Sequence, residues 1–134
     1  MRLAPLAVAS AASGAVLAGL LGGAVTSLIW IVQRPEGAAR AVRWGMLHGI
    51  LIGAAGLLMG VVAGLVATTL AGRLNTWRTA AVLGASIGAL FGAALGATLW
   101  QEASGKPVAI ASLVAQAASG AAIAMVARSR TLVT

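Results

Sequence analysis

The residues of this chain that could do chemistry are few and far apart. His48 is its one histidine, its acids are Glu36 and Glu102, and it has neither aspartate nor cysteine. Thiolate metal sites, disulfides and thiol catalysis are therefore excluded. Gly84-Ala85-Ser86-Ile87-Gly88 has the G-x-S-x-G spacing of a nucleophile elbow, but that device needs a sharp strand-to-helix turn, and here it falls inside a long uncharged run. On a helical reading Ser86 lies about 12 Å inside one membrane border and His48 about 6 Å inside the opposite one. That leaves about 12 Å between their depths across a core of about 30 Å. They form no serine-histidine pair, and Ser104-Gly105-Lys106-Pro107 lacks the context of a phosphate-binding loop. No enzyme, cofactor or metal site is expected. His48 is read as an interfacial histidine with satisfied hydrogen bonds. The alternative is an axial ligand to haem or chlorophyll, with Gly45 and Gly49 making room, although one histidine cannot supply two such ligands within a chain.

The remaining chemical group is cationic. Eight of the nine basic residues are arginine, Lys106 being the exception, and the formal net charge is +7. In a soluble chain that would point to nucleic acid, but these charges sit between apolar runs or at the termini, where arginines read as topology signals and headgroup contacts. Arg34, Arg40 and Arg43 cluster beside Trp30 and Trp44, offset by Glu36 alone. Anionic phospholipids and other membrane subunits are the expected partners, with no nucleic acid.

What must position these residues is a set of membrane helices. Only 8% of the residues are charged and 60% are hydrophobic, against about 25% charged in a soluble domain. The charges delimit four runs, Leu3 to Val32, Trp44 to Gly72, Thr79 to Gln101 and Pro107 to Ala127, and each reaches the ~20 residues a transmembrane helix needs. The sequence predicts an all-α polytopic membrane protein with one membrane domain, 1–134, and helices over about 3–32, 44–72, 79–101 and 107–127. Short connections at Gln33 to Gly37, Gly72 to Thr76 and Ser104 to Pro107 make it two antiparallel hairpins with Gly/Ala-rich packing faces. Ala38 to Arg43 is read as a short interfacial turn, Asn75 or Thr76 as the cap of the third helix, and Pro107 as the first position of the fourth. Met1-Arg2 and Ala7-Val8-Ala9 resemble a secretory leader, but Pro5 interrupts the apolar stretch, so the start is read as the first helix. Trp30, Trp44, Trp77 and Trp100 all fall at run ends, as interfacial indoles do. Arg2, Arg73, Arg78, Arg128 and Arg130 outnumber the basic residues of the other face by one, a slight bias for termini on the cytoplasmic or matrix side; near-balance also suits a dual-topology dimer.

Small residues recur in rows. Gly84, Gly88, Gly92 and Gly96 follow at four-residue intervals beside Ala85, Ala89, Ala93 and Ala97. The second run carries Gly45, Gly49 and Gly53, then Gly56, Gly60 and Gly64; the single three-residue step keeps all six within a face of about 100°. Each glycine costs about 1 kcal/mol of helix propensity, a sacrifice that close backbone approach explains, within the bundle or against another subunit. Large residues such as Leu57, Leu58, Met59, Leu65, Phe91 and Leu95 are left to face lipid or fill gaps. At an offset of 70, Ala11, Gly14, Ala15, Leu20, Gly22, Ala24 and Trp30 match Ala81, Gly84, Ala85, Leu90, Gly92, Ala94 and Trp100, which suggests a parallel hairpin repeat. The second and fourth helices do not align in this way.

Four helices of this size, Pro35 and Gly37 in the first loop, and the rows from Gly45 to Gly64 and Gly84 to Gly96 resemble the mitochondrial inner-membrane protein-translocase channel family. That family includes an accessory subunit of respiratory complex I. The resemblance implies a non-catalytic accessory subunit of a large inner-membrane complex, mitochondrial or else bacterial, packing through small-residue faces and holding lipid. The alternative is a small homo-oligomeric channel, transporter or holin-like pore. Such a pore should align polar side chains, and the sequence offers only scattered Thr26, Ser27, Thr68, Thr69, Ser86, Thr98, Gln116 and Ser119.

Overall fold

The computed structural model describes residues 3–73, 75–100 and 105–133. Four helices make up the fold: α1 Leu3–Gln33, α2 Ala38–Thr69, α3 Trp77–Leu99 and α4 Gly105–Val133. Each is long and apolar enough to cross a membrane, and no strand occurs among the described residues. The chain is an all-α, multi-pass membrane protein.

Several borders differ from the sequence reading, for local reasons. Pro35–Gly37 forms a 3-10 turn, and Ala38 to Arg43 is no separate turn but the start of α2. At 32 residues, α2 extends about 48 Å and overruns a ~30 Å core, so Arg40 and Arg43 ride on its first turns into the headgroup region. Gly105 to Pro107 likewise belong to α4. Pro107 is its third residue, tolerated because first-turn N–H groups have no partner within the helix. Gln101, Glu102 and Ser104 lie outside the described residues. Thr76 caps α3, its hydroxyl accepting from the Thr79 N–H while the Thr79 hydroxyl accepts from the Thr76 N–H.

α1 runs antiparallel along α2, and α3 along α4, with glycines at both seams. Gly14 meets Gly56 and Gly60, Gly19 meets Gly49 and Gly53, and Gly23 meets Gly45 and Gly49; across the other seam Gly84 meets Gly120, Gly88 meets Gln116 and Gly92 meets Leu113. α4 touches all three other helices and α2 does likewise, whereas α1 and α3 stand at the outer corners. Between α2 and α4 the contacts change from backbone to side chain. Ile52 joins Ala18, Val108, Ala111 and Ala115 in one cluster; Met59, Ala63 and Ile123 form a second, flanked by Ile87 and Phe91; Ala67, Ala124 and Ala127 close the end.

The two hairpins are built to one plan. Buried positions on α1 are Ser10, Gly14, Ala18, Gly22 and Thr26; on α3 they are Ala80, Gly84, Gly88, Gly92 and Gly96. These are the same positions shifted by 70. For α2 and α4 the shift is 60, which carries eight buried residues of α2, Gly49, Ile52, Gly56, Met59, Gly60, Ala63, Gly64 and Ala67, onto Ala109, Ser112, Gln116, Ser119, Gly120, Ile123, Ala124 and Ala127, all buried; the exception between them is Gly53, whose counterpart Leu113 is exposed. Seam contacts follow suit: Gly14 on Gly60 corresponds to Gly84 on Gly120, and Gly22 on Ile52 to Gly92 on Ser112. The difference of ten residues comes from the longer end of α1 and the extra turns that open α2, since the first connection itself is no longer than the one between α3 and α4.

Candidate functional site

At the end of the bundle that carries the first connection, aromatic and cationic groups gather. Trp30 comes from the last turn of α1 and His48 from the third turn of α2. The two rings meet edge to face with centroids 5.3 Å apart. The His48 Nδ1–H donates to the Trp44 carbonyl at 2.8 Å. Trp44 stands 6.2 Å from the imidazole. Gly45 and Gly49, the neighbours that sequence reasoning credited with making room beside His48, are buried against Ser27, Gly23 and Gly19 of α1. That space belongs to a helix and not to a macrocycle. Trp30 itself is only half exposed and packs on the Ala18–Ile52 cluster, whereas Trp44, Trp77 and Trp100 are exposed. Arg78 lies over the Trp77 ring at 5.5 Å and Lys106 over Trp100 at 5.4 Å, pairings that suit an interface where an indole face and a cation share the headgroup layer.

Arg34, Arg40 and Arg43 are all exposed, with Glu36 exposed among them. Beside this cluster opens an apolar lateral groove of about 880 Å³ along the outer side of the α1–α2 seam. Its floor includes Gly19, Gly23 and Gly53, and its walls include Leu28, Met46 and Ile50.

The ten glycines of the two rows, Gly45, Gly49, Gly53, Gly56, Gly60, Gly64, Gly84, Gly88, Gly92 and Gly96, are all buried. A Cβ on Gly49 would lie 2.8 Å from the Gly19 carbonyl oxygen, and one on Gly92 2.7 Å from the Leu113 Cα. The rows face helices of the same chain. Of the large residues, Leu57 and Leu58 are exposed, but Met59 is fully buried and Leu95 packs on the Ala18–Ile52 cluster.

Sequence reasoning missed one arrangement. Ser112, Gln116 and Ser119 recur on α4 at helical spacing and are buried together. The Gln116 Nε2–H donates to the Ile52 carbonyl at 2.9 Å, tying α4 to α2 close to mid-membrane, and the Ser112 hydroxyl reaches the Gly92 carbonyl at 3.4 Å. Thr26 Oγ1, Gln116 Oε1 and Ser119 Oγ are buried with no protein partner, a costly placement in lipid. The signal is their four- and three-residue spacing, which stays hidden when Gln116 and Ser119 are counted among scattered polar residues and Ser112 is not singled out. Five other hydroxyls bond backward along their own helices: Ser27 to Gly23, Thr68 to Gly64, Thr69 to Val66, Ser86 to Val82 and Thr98 to Leu95. Ser86 in particular is exposed on α3, on a different hairpin from His48.

Among the described residues no three of His, Cys, Asp and Glu come together. Comparison with protein-family models, with curated proteins and with solved structures finds no match to this chain.

Proposed function

We propose that this protein is a non-catalytic accessory subunit of a large multi-subunit inner-membrane complex, serving it as a rigid packing unit and as a holder of anionic lipid. The observation that carries this reading is the solid interior: Ile52 and Met59 of α2 and Val108 and Gln116 of α4 are all at most 1% exposed, with glycine seams on either side. A bundle filled in this way acts through its shape and its outer faces. Because the glycine rows are turned inward, partner subunits meet the outward aliphatic side chains and the α1–α2 groove region, and the rows serve them only by stiffening the unit. The resemblance drawn from the sequence makes a complex I-like respiratory assembly the first to test.

The test is native-state fractionation of the tagged protein, expressed at its own level and solubilised in mild detergent, with mass spectrometry of the fractions. Migration with redox subunits in fixed stoichiometry is the expected result. A monodisperse monomer that retains its full role in the cell overturns the proposal, and a homo-oligomer that conducts ions favours a small pore instead.

A further inference from the structure

The α1–α2 groove and the arginines at its end have the geometry of one amphipathic ligand. The groove is lined on α1 from Ala15 to Ile31 and on α2 from Val42 to Ala54, lengths of about 24 Å and 18 Å. Both fall short of the ~30 Å needed to lie against a whole transmembrane helix. The groove instead starts at headgroup level, where Val42 precedes Trp44; on α2 Trp44 to Ala54 is about 15 Å, the hydrocarbon depth of one leaflet, and on α1 Trp30 to Ala15 is about 22 Å, so its deep end passes somewhat beyond mid-bilayer. Its headgroup end is cationic. With 100° between successive helical residues, Arg43 falls inside the arc of α2 spanned by Val42, Met46, Ile50 and Ala54, and Arg34 follows the last lining residue of α1, Ile31, by three positions. Glu36 is the one acid described in this connection.

The second hairpin supplies an internal comparison. Positions equivalent to Gly19, Gly23 and Gly53 are Ala89, Ala93 and Leu113, so the same plan there carries side-chain carbon where the first hairpin has none. Under the shift of 60, α4 begins at the equivalent of Gly45, so the opening turns of α2 that carry Arg40 and Arg43 have no counterpart there. The glycine floor and the cluster of three arginines therefore occur together on the first hairpin, while the corresponding end of the second has alanine and leucine at those floor positions and Lys106 over Trp100.

We infer that the α1–α2 groove binds one anionic diacyl phospholipid from the leaflet on the side of the first connection, an acyl chain lying over Gly19, Gly23 and Gly53 and the phosphate held by Arg34 and Arg43. This rests on the lipid-holding part of the proposed function and adds the seat, the leaflet and the ligand class. The experiment is native mass spectrometry of the full chain titrated with phosphatidylglycerol or phosphatidylcholine in neutral detergent. It compares wild type, Arg34→Gln/Arg43→Gln, and Ala24→Leu/Ala54→Leu, the last pair filling the groove from positions exposed to lipid. The wild type is expected to retain phosphatidylglycerol in preference to phosphatidylcholine. Loss of each arginine should weaken retention about fivefold, and the filled groove should weaken it for both lipids, with unchanged circular dichroism in every variant. Retention that survives groove filling but falls with the arginines overturns the seat and leaves a bare headgroup contact. Retention indifferent to both changes overturns the lipid role entirely. If groove filling instead releases the protein from its larger assembly with lipid retention intact, the groove belongs to a partner helix and the inference fails. Co-migration with other subunits is a separate readout, so loss of the subunit reading is not mistaken for loss of this one.

Discussion

Gly88 and Gln116 show how a single residue sets the distance between two helices. A Cβ on Gly88 would run into the Gln116 backbone and lie 2.9 Å from the Ala117 Cα, and backbone cannot rotate aside as a side chain can. Gly88→Ala is therefore expected to destabilise the bundle by about 1–3 kcal/mol, although alanine gains about 1 kcal/mol in helix propensity. Gly96→Ala is the control, since its Cβ meets the Ala109 Cβ at 3.3 Å and the same propensity gain brings it close to neutral. Equilibrium unfolding in mixed micelles, followed by circular dichroism, measures both; equal stabilities would mean the seam is not a backbone contact. Gln116→Leu removes the bond to Ile52 and also an acceptor with no protein partner, so its cost should stay within about 2 kcal/mol. The glycine spacing was legible in the sequence because size and period suffice to see it. Gln116 was not, because a lone amide in an apolar run is informative only once the neighbouring helix is in place.

At the level of the elements, connections follow from backbone demands more than from charge. The change from charged to uncharged residues put the start of the second helix near Trp44, yet α2 starts at Ala38 because arginine and alanine are good helix formers and Pro35 stops α1 just upstream. Charge marks where a helix leaves the lipid, which is a different point from where it ends. The second connection offers a direct test. Gly72 lies in the 3-10 turn Ala71–Arg73, has no positive φ, and a Cβ there meets nothing within 4 Å. Gly72→Ala should therefore raise stability by about 0.4–1 kcal/mol through the unfolded chain, seen as a higher midpoint on thermal unfolding. A fall would mean that this turn adopts another conformation in the membrane. The hairpin repeat was legible in part. Seven identities related α1 to α3, but α2 and α4 share burial more than identity: Gly56 is replaced by Gln116 and Met59 by Ser119, all four buried, and a pattern of burial is written in positions that face a neighbour, which a single sequence does not disclose.

In the whole molecule, two kinds of contact divide the labour. Glycine seams hold each hairpin together backbone to backbone, and side chains such as Ile52, Met59, Ile123 and Phe91 hold the hairpins to each other. Segments 1–74 and 75–134, produced as separate chains in the same cell, should thus recombine in the membrane into a complex that survives mild detergent, as judged by co-purification through a tag on one of them. Met59→Ala, which truncates a fully buried side chain, should weaken that recombination while leaving each fragment helical. Fragments that never associate would show that the connection itself is needed for docking. The central position of α4 also has a meaning in time. A ribosome delivers α1 and α2 first, and their seam closes without further help; α3 then waits with Gly84, Gly88, Gly92 and Gly96 facing nothing. The last helix to be made is the one that covers the α3 row, so a chain interrupted before α4 displays an open glycine face, and completion of synthesis coincides with its disappearance.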